Sequence, residues 1–597
     1  MALDLTQEQK QQGRENFTNA TGELTRRGFM KSMVAAGAVV PVSAAVYFGY
    51  KEWTKGNPVR AALIGAGDEG GVLIGEHNPE FLQIVAVADI RPYNRERIFE
   101  GEPAPSPRKG LKRIYGVDEA KKIEQFAHYE DLLKSDVIDR LKLEAVVIAL
   151  PLHLHAACAI AAMDLGLHVM CEKLMARTIG MCKMMTKKAK EKNVILSIGH
   201  QRHYSMLYAH ALEVVQSGIL GDIKHIRALW HRNNSWPWKP SDAKKPLATG
   251  VRQPDLRDGW FGPIYDLDAE ALRKDPALWN RANEFLKANQ DKRFTPQEYD
   301  SIEQLLRWRL YDKTGGGLMA ELGSHQLDAS SIFLGKVHPL AVTGVGARAF
   351  YGDLSRPNSG PNPRESEDAV FVSFEFPGKN HPRGANKGSD ESDVVVVTYS
   401  SLNTNSFEQY GECLMGSRGT MVVEGEADVF LYKEPDPIKR DNAGKSTAVQ
   451  VTAAGGKPAM EASSTWAVGG GPGVVSKTGN ASGWGSVSRG YREEMEHFAF
   501  CVRELQSGRA DQQAKLGSRS MQNVYEKDSE GQYVLAKEKR LPKCHGEVAM
   551  ADAILALTAN MAMDKKVRIE FDPNWFDTDK PDVPETKYGK DARPEKA

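Results

Sequence analysis

An α/β fold in two parts is predicted: a doubly wound parallel sheet, then an α+β domain on a large, open, mostly antiparallel sheet. Three features predict it. Residues 59–89 read as strand, glycine turn, helix and second strand. Short apolar runs then alternate with helical stretches as far as residue 200, the pattern of βαβ units. Beyond residue 200 the strand-like runs alternate apolar with polar residues, as they do when one face of a sheet is covered and the other is more exposed.

Residues 1–56 stand apart from both domains. Thr25-Arg26-Arg27-Gly28-Phe29-Met30-Lys31 matches the twin-arginine export pattern, and residues 33–50 continue as an uncharged run rich in alanine and valine. That run is short for a membrane span and suits the apolar core of a signal. It has no polar face, which argues against an amphipathic helix. Val42-Ser43-Ala44 offers a small-residue cleavage site. The expectation is a periplasmic protein exported by the twin-arginine (Tat) machinery, anchored to the membrane if the leader is retained.

Residues 57–200 form the first domain. The run 59–64 suits a strand buried in a parallel sheet, and Gly65, Gly67 and Gly70 follow at once. The first glycine permits the tight turn, the second lets a pyrophosphate approach the backbone, and the third lets helix and strand pack closely. Phosphates would lie on the free N–H groups that open the helix. The second strand, 84–88, ends at Asp89, 22 residues beyond Gly67, where a carboxylate can accept both ribose hydroxyls of an adenosine. Strand before, helix after and acid at that distance favour a Rossmann dinucleotide fold over an ordinary glycine turn. Asp89 would repel a 2′-phosphate and favours NAD, whereas Arg91 could attract one and keeps NADP open.

A polar loop (91–110), a helical stretch (118–126) and a buried-strand run (143–150) lead to Pro151-Leu152-His153-Leu154-His155. A helix (156–165) and a strand (168–171) deliver Glu172-Lys173-Leu174, and a further helix (178–192) and strand (194–199) complete the domain. Ligands of an open parallel sheet lie beyond the carboxyl ends of its strands, so Pro151, His155 and Lys173 should face the cofactor. The second domain, 201–572, opens with a helix (206–217) and continues through strands at 223–230, 340–347, 369–376, 394–400 and 419–424. Insertions at 233–300, 351–368 and 435–490 are too long for simple connections and read as surface elements that shape a cleft or a subunit contact. Helices at 490–506 and 546–563 should pack back on the body, and the charged tail, 573–597, is expected to be loosely held.

Composition narrows the function. Lysine plus arginine equal aspartate plus glutamate at 78 each, so no basic excess points to nucleic acid. The six cysteines form no paired pattern and read as small buried hydrophobes. Cys544-His545-Gly546-Glu547 lacks a second cluster at a suitable spacing, so no metal is assigned.

The second informative stretch is residues 315–328, GGGLMAELGSHQLD. If it is helical from Leu318, Glu321, His325 and Asp328 lie one turn apart on one face, and such a stripe suits a polar cleft. Arg202 and Tyr204, after the sixth strand, could also reach the cleft, and the aromatic and basic residues from Trp230 to Trp238 could stack on a sugar or merely pack an insertion. Together with the Gly65–Gly70 fingerprint, Pro151 to His155, the Glu172-Lys173 pair and Ser217-Gly218-Ile219-Leu220-Gly221, this stretch resembles the glucose-fructose oxidoreductase, inositol dehydrogenase and rhizopine-catabolism group (Gfo/Idh/MocA) over residues 58–573.

The resemblance implies an NAD(P)-dependent oxidoreductase acting on a hydroxyl or carbonyl of a sugar or cyclitol, and a homo-oligomer built through the open sheet. It places Lys173 beside the nicotinamide and the substrate hydroxyl, and makes His325 the general base. An alcohol oxidation needs a proton acceptor poised near neutrality and a cation for the developing alkoxide, which these residues supply. Glu321 stands where the family carries aspartate, Leu174 where it carries proline, and Asp328 reads as a further substrate ligand. Two alternatives remain: an NAD-dependent glycosidase of the same fold, working by transient oxidation and elimination, and a non-catalytic sugar-binding relative. Leu-Gly-Ser-His-Gln at residues 322–326, in place of the Tyr-Pro-Thr-His-Gly type implied for the glycosidases, favours the oxidoreductase.

Overall fold

The computed structural model describes residues 5–33, 48, 57–232, 236–237, 256–257, 266–277, 279–281, 299–348, 365–434, 449–454, 457–462, 489–516, 525–527, 533–535 and 541–590. Six strands, β1 (Val59–Ile64), β2 (Leu82–Ala88), β3 (Glu124–Phe126), β4 (Ala145–Ile148), β5 (His168–Glu172) and β6 (Leu196–Gly199), form one sheet in the order 3-2-1-4-5-6. Every neighbouring pair is parallel. Apart from the edge strand β3, whose Glu124, Gln125 and Phe126 are only partly buried or exposed, their residues are mostly apolar and buried, because helices cover both faces of such a sheet. The strand order reverses between β1 and β4, which opens a crevice at their carboxyl ends.

The second sheet holds β7 (Ile223–His231), β8 (Ala341–Ala347), β9 (Ala369–Pro377), β10 (Val394–Leu402), β11 (Tyr410–Gly416), β12 (Gly419–Glu424), β13 (Asp428–Lys433) and β14 (Ile569–Glu570). Its order is 13-12-11-7-10-9-8-14. All pairs are antiparallel except β7 with β10. In β9 and β10 buried residues alternate with more exposed ones, so one face meets the core and the other looks outward.

The helices used below are α1 (Gln7–Met33), α2 (Asp68–Glu76), α3 (Pro92–Glu100), α4 (His155–Asp164), α5 (Ile179–Lys192), α6 (Met206–Gln216), α7 (Asp266–Lys274), α8 (Ser324–Phe333), α9 (Tyr491–Leu516) and α10 (Gly546–Lys565). α1 lies against the edge strand β13: Arg14 pairs with Asp428 at 2.8 Å, and Asn16 Nδ2 donates to the Leu431 carbonyl at 2.9 Å. An edge strand covered in this way has fewer open backbone groups to pair with another chain. Thr25 to Lys31 falls in the second half of α1, while Val42 to Ala44 and most of the apolar run lie outside the described residues. So do most of the insertions 233–300, 351–368 and 435–490. Among the described residues no helix is long and apolar enough to cross a membrane.

Three expectations need correction. The stretch 118–126 is helical only over Val117–Ala120, and its end is β3, because the free edge of β2 offers hydrogen bonds that outweigh local preference. β11 and β13 were not anticipated. In β11 the acid Glu412 breaks the apolar pattern, yet it is buried because Arg202 (3.0 Å) and the Tyr208 hydroxyl (2.9 Å) satisfy it. The start of the tail is docked rather than loose. The buried ammonium of Lys183 donates to the carbonyls of Asn574, Lys580 and Asp582 at 2.8–2.9 Å, and Phe576 stacks on His338. Backbone carbonyls do this work, so no side-chain pattern announced it. All six cysteines are buried and unpaired, as small hydrophobes would be.

Candidate active site

A cavity of about 530 Å³ opens at the carboxyl ends of β1, β2, β4 and β5 and continues under residues 320–325 to Trp230, Arg232 and Tyr491. Its volume is within the range of small-molecule and cofactor sites. At one end is the glycine turn. Gly65 has φ +96°, and a Cβ there would come within 2.3 Å of the Ala149 carbonyl oxygen. A Cβ on Gly70 would come within 2.2 Å of the Gly65 oxygen, so turn and helix pack as the spacing predicts. Gly67 is open on its cavity side and precedes the first turn of α2, with no side chain capping it. This is a backbone cradle suited to a dinucleotide pyrophosphate.

Asp89 also lines the cavity. Its carboxylate accepts the Ala66 N–H (2.7 Å), the Arg91 N–H (2.7 Å) and Asn94 Nδ2 (3.1 Å), which ties the end of β2 to the glycine turn. Burial raises its pKa, and the two backbone donors and Arg91 work against that. Arg91 turns to a different partner. Its Nε bonds Asp268 of α7 at 2.7 Å, and the other oxygen of Asp268 accepts the Tyr93 N–H at 2.9 Å. Asp268 is fully buried, so an acid from the second domain occupies the cation that could have attracted a 2′-phosphate.

Two acids inside the glycine turn were not singled out in the sequence reading. Asp68 and Glu69 stand where a pyrophosphate should lie. Asp68 pairs with Arg97 at 2.8 Å, and Arg108 lies 4.0 Å away. Arg97 and Arg108 line the cavity too, so the turn carries its own neutralising cations.

At the other end, Lys173 leaves the end of β5 and its ammonium donates to the Glu321 carbonyl at 2.8 Å. The Lys173–Leu174 peptide is cis, and Leu174 is buried. His155 bridges the two neighbouring turns, with its ring nitrogens 2.8 Å from the carbonyl oxygens of Leu174 and Leu150. Burial nevertheless lowers its pKa. Pro151 and His155 line the cavity, and Glu172 beside them has its carboxyl group pushed up to about 8 by burial and by Glu69. His325 lines the cavity as well. Among the described residues its Nδ1 is buried without a hydrogen-bond partner. Burial, then the charges of Lys173 and Arg202, hold this imidazole well below its ordinary pKa, so it is neutral and able to take a proton. The Glu321 carboxylate accepts Arg309 Nε at 3.0 Å. Burial would raise its pKa, but Arg309 and Lys173 hold it below the ordinary value. Arg309 was missed in the sequence because it precedes the glycine run at no diagnostic spacing.

Arg202 and Asp328 do not line the cavity. Arg202 is buried, with Glu426 at 2.8 Å and Glu412 at 3.0 Å, and donates to the His325 carbonyl at 2.6 Å. It supports the histidine's backbone rather than a substrate. Asp328 lies behind the histidine, bound to His203 (2.8 Å) and Lys336 (2.6 Å). The one-face reading assumed a regular α-helix, whereas residues Met319–Gly323 form a π turn that changes the register before α8 begins. Tyr204 is packed, with its hydroxyl on His497. Behind α8, His200, Cys544 and Asp552, and likewise His203, Asp328 and Asp552, lie close enough to share a cation. The ammonium of Lys336 already sits on both aspartates, at 2.6 and 2.9 Å, so the chain supplies that cation itself.

The sequence profile "Oxidoreductase family, NAD-binding Rossmann fold" of the Gfo/Idh/MocA family matches residues 59–200, and the profile of the family's C-terminal domain matches residues 256–420. The chain belongs to the Gfo/Idh/MocA oxidoreductase family. Its first domain is therefore an NAD-binding Rossmann domain, in keeping with the glycine cradle and Asp89. Among Gfo/Idh/MocA relatives, it is 28% identical over 253 residues to a glycosyl hydrolase family 109 protein of Stenotrophomonas maltophilia, covering 40% of this chain and 48% of that one. It is 31% identical over 128 residues to a levoglucosan dehydrogenase of Pseudarthrobacter phenanthrenivorans, covering 21% and 32%. The chain thus matches half or less of the length of these relatives. A solved inositol dehydrogenase homologue from Azotobacter vinelandii, complexed with NADH and myo-inositol, aligns with 87% of this chain and 99% of its own at 14% identity and a TM-score of 0.48.

Proposed function

We propose that the protein is an exported oxidoreductase that transfers hydride between bound NAD and a hydroxyl or carbonyl of a carbohydrate or cyclitol. The observation that carries this reading is the meeting of Lys173 and His325 in the cavity that begins at the glycine turn. The turn residues, Asp89 and the first amides of α2 would hold the nucleotide, which when bound supplies the hydride acceptor. Lys173 steadies the negative charge that grows on the substrate oxygen. His325, neutral in its buried setting, takes the hydroxyl proton. Glu321, tied to Arg309 and supplying the carbonyl that positions Lys173, holds the ammonium in place and offers a carboxylate to sugar hydroxyls.

The Arg91–Asp268 pair supports NAD over NADP, since a 2′-phosphate would face a buried carboxylate. The twin-arginine pattern and the apolar run after it support export by the Tat route, with the nucleotide loaded before exit and retained through turnover. Fractionation of cells making the full chain, followed by acid release of nucleotide from the purified protein, tests both points. The expected outcome is protein outside the cytoplasm carrying close to one NAD per chain. A cytoplasmic protein that is empty and turns over only with added NAD would sink this reading. The family 109 relative favours a second reading, a glycosidase that oxidises its sugar transiently. Release of nitrophenol from a nitrophenyl glycoside panel decides between the two.

A further inference from the structure

Arg232 follows directly on β7, where its backbone N–H bonds the Leu402 carbonyl at 2.7 Å. Its guanidinium lies 4.8 Å from the ring centre of Trp230, and the Trp230 ring lies 5.4 Å from that of His325. Arg232 is thus at the reacting end of the cavity, which it lines. The other cations there have partners. Arg309 holds the Glu321 carboxylate at 3.0 Å, Arg489 the Glu426 carboxylate at 3.3 Å, and Lys173 the Glu321 carbonyl at 2.8 Å. Among the described residues Arg232 has no ion pair and no side-chain hydrogen bond, only the face of Trp230. Glu321, the one carboxylate whose field raises it, is shared with Arg309 and Lys173, and burial pulls the guanidinium below its ordinary pKa. A half-buried guanidinium without an anion is unfavourable unless a ligand supplies one.

Resting on the oxidoreductase reading above, we propose that the substrate is an anionic carbohydrate, with its reacting hydroxyl between Lys173 and His325 and its carboxylate or phosphate group on Arg232. A guanidinium binds either group through two parallel N–H donors, and stacking on Trp230 leaves those donors at its edge free. The anion also completes the charge pattern, because Glu321 is already committed and could not neutralise a third cation.

Three probes test this on the nucleotide-loaded protein, with coenzyme fluorescence as the readout: glucuronate, glucose 6-phosphate and glucose. One of the two anionic sugars should bind about tenfold or more tightly than glucose, and added salt should shrink the difference. Arg232→Gln should cut that affinity by about tenfold while leaving glucose binding within about twofold, and Arg232→Lys should recover part of the loss. Which anionic sugar wins separates carboxylate from phosphate. Equal binding of all three, binding of none, or an equal loss for glucose and the anionic sugars in Arg232→Gln overturns the assignment. A protein that neither carries nor takes up nucleotide defeats the oxidoreductase reading, and this one with it.

Discussion

Lys173 and His325 are brought together by different devices. The lysine is delivered by the end of a buried strand and positioned by the Glu321 carbonyl. The histidine is held by the π turn before α8 and by Arg202, which bonds its backbone. Their proximity has a titration consequence. Burial and the charge of Lys173 depress the imidazole pKa, and a general base is lost only as pH falls through its own pKa. The acid limb of kcat for alcohol oxidation should therefore lie well below pH 6.5, with full activity kept near that pH. His325→Gln should remove the limb and lower kcat by about 10²–10⁴-fold, and Lys173→Met should lower it by about 10²–10³-fold. Both variants should keep nucleotide binding. An acid limb at or above the ordinary histidine value, or one that survives in His325→Gln, would show that another group is the base.

At the level of elements, α7 is the informative piece. Its Asp268 reaches across from the second domain to the end of β2 and binds both Arg91 and the first turn of α3. The apolar cluster of Leu272, Tyr299 and Leu305, with Ile90 against it, closes the same region. Tyr299 and Leu305 line the cavity beside Asp89, so the second domain roofs the adenosine end. Asp268→Asn keeps an acceptor for the Tyr93 N–H but frees Arg91 from its charged partner. We predict about a tenfold gain in affinity for NADPH relative to NADH, the order expected for one new charge-assisted contact to phosphate. Nucleotide release should also be faster. Fluorescence titration with the two coenzymes measures the ratio, and an unchanged ratio would mean that Arg91 has no access to the 2′ position.

Taken as a whole, the molecule covers the outward face of its large sheet with α1 at the β13 end, where Phe430 is buried, and carries exposed apolar residues farther along that face among the described residues. Val345 pairs across with Phe371, Phe371 with Ser400, Val396 with His225, and His225 with Met415. The strand period of two therefore puts Val345, Phe371, Val396 and Met415 on the same side, and all four are exposed. An apolar stripe of this kind supports pairing of two copies face to face. Phe371→Asp would place a charge in the middle of such an interface, and sedimentation should show the species shift to single chains at micromolar concentration. A wild-type protein that sediments as a single chain throughout would dismiss the pairing.

Most of the first domain was legible from local order alone, because a buried parallel sheet demands continuous apolar strands and its phosphate cradle demands glycines at fixed steps. The motif around Glu321 and His325 pointed to two residues that the fold brings with Lys173 to the wall of one cavity. What could not be read was which neighbours satisfy each buried charge. Asp328 is turned to Lys336, Arg202 to Glu412 and Glu426, Arg91 to Asp268, and Lys183 to the carbonyls of the tail, while Arg232 is left facing the cavity. A sequence sets the charge and reach of each side chain. Whether that charge is paired inside the protein or presented to a ligand is settled by contacts between residues hundreds of positions apart, and those exist only once the chain has folded.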